Sequence, residues 1–296
     1  MFTGADSLSL SNKGNYSKDK IESIFADNWD EIIDSLQSGV ELLEWLGFNV
    51  AGLSKNLLLP VSYYLYRKKP NSSYFTVTAG KDSNDKLLIK QWVIRAIVRS
   101  IFRDGTGSTL IIIRNIIDSS PLDHFPLGKF LEEDAIRSLR IGDESIDDIL
   151  RMTYNDPAVR PLLAVLGKQV DVTSFNVDHM WPQSVIASKR KTWKCYPNIS
   201  DVEYSEFKKR VNNITNLQLL TAADNNLKSD KLYDAWLDET YSGAALSEYQ
   251  VRACVDPMAP TDFSSFLSFT EKRAEIMRTR IGQEFPDNIE EVLFPK

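Results

Sequence analysis

Cysteine and histidine are almost absent from this chain of 296 residues, which has two of each: Cys195 and Cys254, His124 and His179. The cysteines are far apart and form no C-x-x-C pair. That excludes a zinc knuckle and argues against a disulfide framework. No apolar run reaches the roughly 20 residues that span a bilayer. The N-terminus also lacks the basic-then-apolar shape of a signal peptide, so a cytoplasmic location is the default expectation. An excess of positive charge is missing too. Lys and Arg total 35 against 41 Asp and Glu, a net charge of −6, so any contact with nucleic acid has to be local, through basic patches on an acidic body. The segment Asp104-Gly105-Thr106-Gly107-Ser108 has no Lys-Ser/Thr ending and reads as a turn, not a phosphate loop.

The rest of the composition, 43% hydrophobic and 26% charged, is ordinary for a globular protein, and the length allows two domains. The expected class is α+β: a mostly helical chain carrying a small strand–strand–helix core. Residues 1–17, rich in Ser, Gly and Asn, read as a flexible lead-in. Residues 18–166 read as a helical domain, 167–240 as the core and 241–296 as a helical extension. Within the helical domain, Ile21, Ile24, Phe25, Ile32 and Leu36 form one apolar stripe. The apolar run Leu57–Tyr66 reads as a buried helix with Pro60 in its first turn. Residues 69–86 read as a loop and 87–103 as a strong helix. Arg95, Arg99 and Arg103 recur at i+4 on that helix, either as a phosphate-contacting ridge or as a solvated face pairing with acidic neighbours. Leu110–Ile117 suits strand or helix, and the flanking helices favour helix. Three short helices (130–139, 145–152 and 158–166) precede the core, and an amphipathic helix over 263–281 follows it.

The chemistry concentrates between Phe175 and Lys231. Phe175 and Val177 alternate with polar residues as a half-buried strand does, and the segment runs on through Asp178-His179-Met180-Trp181-Pro182-Gln183-Ser184. The block Thr215-Asn216-Leu217-Gln218-Leu219-Leu220 suits a second strand. Asp224 reads as the N-cap of a helix running through Asn225, Lys228, Leu232 and Trp236. With Asp-His ending the first strand, a central Asn, and Asn225 three residues before Lys228, the segment resembles the HNH, or ββα-metal, nucleases. The spacing also resembles the HNH domain of the large RNA-guided CRISPR nuclease, including Asp-His-x-x-Pro-Gln-Ser and the Lys-Ser-Asp ending. It is closer still to the C-terminal HNH domain of GmrSD-type modification-dependent restriction proteins, with their Asp-His-x-x-Pro and Asn-Leu-x-Leu-Leu blocks. More loosely, Trp92, the Arg-rich helix and Tyr63-Tyr64 resemble the all-helical region preceding that domain.

The resemblance implies a metal-dependent endonuclease, DNA being the favoured substrate and phage defence or restriction the setting. His179 would be the base that takes a proton from water, a role suited to an imidazole whose reference pKa is about 6.5. Asp178 and Asn225 would supply oxygen ligands to Mg2+ or Mn2+, hard cations that leave most positions to water and phosphate. Asn226 is the neighbouring rival for that slot. Asn216 would tie down the loop that holds His179, and Lys228 would reach a phosphate. Strand neighbours point to opposite faces, so Asp178 and His179 share a site only where the strand ends and turns. Trp181, beside His179, reads as a core anchor of that turn.

Between the two ends of the motif lies a large insertion. Its basic residues Lys189, Arg190, Lys191 and Lys194 are interleaved with Trp193 and Tyr196, a pattern suited to phosphate contact plus base stacking. Lys208-Lys209-Arg210 adds a second cluster. Asp123-His124 is a second Asp-His pair, but neither an Asn-Leu-x-Leu-Leu block nor an Asn-x-x-Lys follows it, so it reads as a loop. GmrSD-type proteins carry an upstream nucleotide-hydrolysing domain with an Asp-Gly-Gln-Gln-Arg-like motif. That motif is missing here, which makes an NTPase or recognition domain or subunit an expected partner. Two alternatives stand beside the DNA nuclease: a catalytically dead HNH module that only binds nucleic acid, and an RNase.

Overall fold

The structure is a computed structural model that describes residues 1–2, 18–103, 105–169, 175–190 and 193–295. The lead-in expected over 1–17 lies, from residue 3 onward, outside the described residues, as do Asp104 and Lys191. In chain order come α1 (Lys18–Trp45), α2 (Lys55–Lys68), α3 (Gly80–Val98), α4 (Thr106–Asp118), α5 (Leu127–Glu132), α6 (Asp143–Leu150) and α7 (Val159–Leu166). Then follow β1 (Phe175–His179), α8 (Gln183–Ala187), α9 (Asp201–Arg210), β2 (Leu217–Thr221), α10 (Ala222–Lys228), α11 (Tyr233–Thr240), α12 (Gly243–Arg252), α13 (Phe266–Glu284) and α14 (Ile289–Leu293). Among the described residues the chain is mostly helical with one small antiparallel sheet, consistent with an α+β class. None of the described helices is long and apolar enough to cross a membrane.

The chain clusters into two units: residues 1–141 with 285–296, and residues 142–284. Helices α6 and α7, grouped from sequence with the N-terminal helices, cluster with the strands, as does α13.

In the first unit α2 packs on both α1 and α4. Pro60 lies inside α2, beyond its first turn. Helix α3 begins at Gly80, seven residues before the expected start, because the polar stretch Gly80–Lys86 is held by tertiary bonds that local sequence does not reveal. Buried Asp85 accepts hydrogen bonds from Tyr64 Oη at 3.0 Å, Tyr74 Oη at 2.9 Å and the Phe125 amide at 2.6 Å. Lys68 Nζ completes the cluster, 3.2 Å from the Asp85 carboxylate. Arg95 is neither ridge nor solvated face. It is fully buried, donates to the carbonyls of Leu139 (3.2 Å) and Pro286 (3.0 Å), and lies 3.6 Å from Asp287. Arg99 Nε donates to the Ser138 carbonyl at 2.9 Å. His124 stacks on Phe294, with centroids 4.2 Å apart, and its Nε2 is 3.2 Å from Glu290, so this second Asp-His pair docks the C-terminal helix.

The second unit has an aromatic core. Trp181 stacks on Tyr233 (centroids 4.6 Å apart) and packs on Phe269 (4.4 Å), as an anchor of the turn after β1 should. β1 and β2 pair antiparallel, with Asp178 opposite Gln218 and His179 opposite Leu217. Helix α10 starts earlier than expected. Thr221 is its N-cap, accepting from the Asp224 amide (3.1 Å) while donating to the Asp224 carboxylate (2.8 Å), so Asp224 is the third residue of the helix. It also stops at Lys228 instead of running on to Trp236. Ser229 turns the backbone at φ 47°, and α11 then carries Tyr233 and Trp236 into the core.

Arg273 of α13 holds this unit together from inside. It is 2% exposed, and its Nε, Nη1 and Nη2 donate to the carbonyls of Ala253 (2.9 Å), Ile214 (3.0 Å) and Leu217 (2.7 Å). No apolar side chain can satisfy those oxygens, and each buried acceptor left bare costs about 1–3 kcal/mol. Arg273→Met is therefore expected to destabilise the protein by about 3 kcal/mol or more, read as a lower urea midpoint. Arg278→Met on the exposed side of the same helix should shift the midpoint far less.

Candidate active site

The site is built where β1 ends. Of the five β1 residues only Asp178 is buried, an unusual place for a carboxylate, and the reason is the helix that follows β2. Helix α10 packs against both strands and directs Lys228, itself fully buried, at Asp178. Lys228 Nζ is 3.1 Å from Asp178 Oδ2 and 3.4 Å from Oδ1, and it donates to the His179 carbonyl at 2.7 Å. Gln218, the cross-strand partner, donates to Asp178 Oδ2 at 2.8 Å. Gln218 Oε1 in turn accepts from Tyr249 Oη at 2.6 Å, and Tyr249 Oη is 3.2 Å from Tyr233 Oη. Burial pushes the Tyr233 phenol up to about 12 and raises that of Tyr249 well above the ordinary phenol value, so both stay protonated and able to donate. Burial lowers the pKa of Lys228, against the pull of Asp178.

Asn216 clamps the turn. Its Oδ1 accepts from the Trp181 amide at 2.9 Å, and its Nδ2 donates to the carbonyls of Trp181 (3.1 Å) and Val211 (2.8 Å). Its own carbonyl accepts from the Met180 amide at 2.8 Å. The two residues after His179 are thereby fixed by one fully buried carboxamide.

The His179 side chain has partners of its own. Its Nε2 lies 2.9 Å from Asn212 Oδ1, and its ring stacks on Tyr154, with centroids 5.0 Å apart and planes 18° from parallel. Burial holds its pKa below the ordinary histidine value and Lys228 adds to this. The Asn212 bond and Asp178 oppose it. The imidazole is therefore neutral near pH 7, the form that can accept a proton. Asn212 and Tyr154 are absent from the motif and were missed by it. Tyr154 lies 25 residues before His179, and no local pattern marks it.

Asn225 is half-buried and sits one turn before Lys228 on the same helix face, whereas Asn226 is exposed. That favours Asn225 as the residue facing the site. Lys228 is not open to a phosphate, because its ammonium is spent on Asp178 and the His179 carbonyl. Trp193 is 2% exposed and packs against Tyr204 and Phe263, so its indole is not open to a base either. Among the basic residues, Arg190 bonds Asp201 and the Ile199 carbonyl, Lys208 the Ala187 carbonyl, Lys209 Glu206 at 2.7 Å, and Arg210 Glu271 at 2.9 Å. Lys208, Lys209 and Arg210 form the last turn of α9, a helix opened by a Ser200–Glu203 capping box that had not been expected there. Lys194 is exposed. No protein-family model and no curated protein matches the chain.

A buried carboxylate stripped of its cation is costly, about 3–5 kcal/mol when one partner alone is removed. Lys228→Met should destabilise the protein by about that much in chemical denaturation. The double variant Asp178→Asn/Lys228→Met should recover part of the loss, so the two changes are expected to be strongly non-additive. Additive losses would mean that the pair carries no coupling.

Proposed function

We propose that this protein is a metal-dependent phosphodiester hydrolase of the HNH type, acting on nucleic acid, with DNA as the favoured substrate. The observation that supports this best is that Lys228, fifty positions after Asp178 in the sequence, bonds both Asp178 and the His179 carbonyl, with Asn225 one turn earlier on α10 and Asn216, just before β2, clamping the residues that follow His179. A role in restriction or phage defence, and a partner NTPase or recognition domain, rest on the resemblance of the motif alone.

The donor set fits a hard cation. Asp178 Oδ1 has only the long 3.4 Å contact with Lys228, and the Asn225 side chain has no hydrogen-bond partner among the described residues, which leaves one carboxylate and one carboxamide oxygen for Mg2+ or Mn2+. Such an ion would stabilise charge on the phosphate and on the leaving oxygen. The chain's own part is proton transfer and orientation. Neutral His179 takes the proton of the water whose oxygen bonds to phosphorus. The P–O bond to the leaving group breaks, and that oxygen is protonated from solvent. Asn216 keeps His179 in place through the turn. Lys228 holds Asp178 and the His179 carbonyl, and its positive charge weakens cation binding, so millimolar metal is expected in assays.

A second reading, a nucleic-acid-binding module without cleavage, is favoured by the same Lys228, which already supplies the positive charge beside Asp178. Of the described basic residues of the insertion, Lys194 is exposed and open to a backbone phosphate, and Lys189, Arg190, Lys208, Lys209 and Arg210 would contribute from positions already engaged in bonds.

Incubating the chain with plasmid and with labelled RNA in Mg2+ or Mn2+ separates the readings. Metal-dependent cleavage is expected from wild type. His179→Ala should lose most of it, on the order of a hundredfold or more, while binding the same DNA as tightly. Asp178→Ala and Asn225→Ala should need more metal and recover partly when it is raised. Full cleavage by His179→Ala would contradict this mechanism, and binding without cleavage by wild type would favour the second reading.

A further inference from the structure

His179 is held by two residues from outside the motif, and both come from one small patch of pairing. The Tyr154 amide donates to the Asn212 carbonyl at 2.9 Å, the Ile214 amide donates to the Met152 carbonyl at 2.8 Å, and Thr153 bridges to Asn213. The segment after α6 is thus laid antiparallel against the segment before β2. Asp156 secures its far side, accepting from the Thr153 amide at 2.6 Å and from the Thr153 hydroxyl at 2.9 Å. From the two sides of this patch, Tyr154 lies flat on the imidazole and Asn212 Oδ1 meets its Nε2.

The two contacts do different things. A stack fixes the plane of a ring but still allows a 180° flip about the Cβ–Cγ bond, which would put Cε1 where Nε2 stands. A hydrogen bond at one nitrogen removes that freedom. A carboxamide oxygen can only accept, so Nε2 must carry the proton and Nδ1 is left with the lone pair. Among the described residues no other group bonds the ring.

We propose that Asn212 and Tyr154 are positioning residues for His179, setting its Nε2–H tautomer and leaving Nδ1 to take the proton from water. The catalytic consequence rests on the hydrolase reading above. The tautomer and the ring orientation do not.

The test uses the fact that the chain has only two histidines. Ring nitrogens of the 15N-histidine-labelled full chain are recorded at a pH where both imidazoles are neutral, and His124→Gln assigns the two rings by subtraction. Wild-type His179 should show the protonated-Nε2 pattern. Asn212→Leu should mix the two tautomers and lower kcat about tenfold, part of what a histidine base contributes, with KM nearly unchanged. Asn212→Asp, which keeps an acceptor, should retain the wild-type tautomer and most of kcat. Tyr154→Phe should behave as wild type, and Tyr154→Ala should lower kcat without restoring the other tautomer. The tyrosine variants keep the test open if Asn212→Leu does not fold. A wild-type ring protonated at Nδ1, or an unchanged tautomer in Asn212→Leu, overturns the proposal. A tautomer that shifts as expected in a protein that cleaves no phosphodiester supports the positioning and removes the hydrolase reading beneath it.

Discussion

The arrangement around β1 depends on one buried ion pair. A carboxylate at the buried position of a two-stranded sheet is untenable alone, and an ammonium with no exposure is equally so. Asp178 Oδ2 and Lys228 lie 3.1 Å apart, Gln218 donates to the same oxygen and Lys228 also donates to the His179 carbonyl, while Asp178 Oδ1 keeps only the 3.4 Å contact with Lys228. Because Lys228 bonds both a side chain and a backbone oxygen of β1, the pair fixes where α10 sits on the sheet. The position of Asn225 one turn earlier follows from it. Replacing the pair with apolar residues could give an equally stable unit, so stability alone does not account for a carboxylate at that place.

Around this centre the protein satisfies buried polar groups with backbone oxygens more than with opposite charges. Arg273 donates to three carbonyls, Asn216 bridges both sides of the Trp181 peptide, and in the other unit Arg95 holds two further carbonyls. Such contacts fix loops in one register, because a carbonyl cannot turn away without leaving its donor bare. The turn after β1, which directly follows His179, is clamped in this way from the side of β2.

What could be read from sequence follows the range of the interactions. The strands were legible because alternation and the Asn-Leu-x-Leu-Leu block encode them within a few residues; the helix after β2 was legible in part, through the i+3 spacing of Asn225 and Lys228, but neither its start at Ala222 nor its end at Lys228 was. The early start of α3 was not. Gly80–Lys86 is polar enough to read as a loop, and only Tyr64, Tyr74 and Phe125, distant in the chain, make Asp85 tolerable inside. The interleaved basic and aromatic residues near Trp193 carried no information about which face they show, and the indole proved to be core. Tyr154 and Asn212 were invisible for a related reason, since a stack and a single hydrogen bond leave no periodic trace in sequence.

On the hydrolase reading proposed above, Asp178 and Asn225 would hold a divalent cation despite the neighbouring ammonium of Lys228. A Mn2+ titration followed through the ring protons of the two histidines tests this most directly, because the ion broadens only resonances close to it. The expected result is selective broadening of His179 at low-millimolar Mn2+, with His124 unaffected, and loss of the effect in Asp178→Ala. Broadening that reaches His124 first, or that survives in Asp178→Ala, would contradict it.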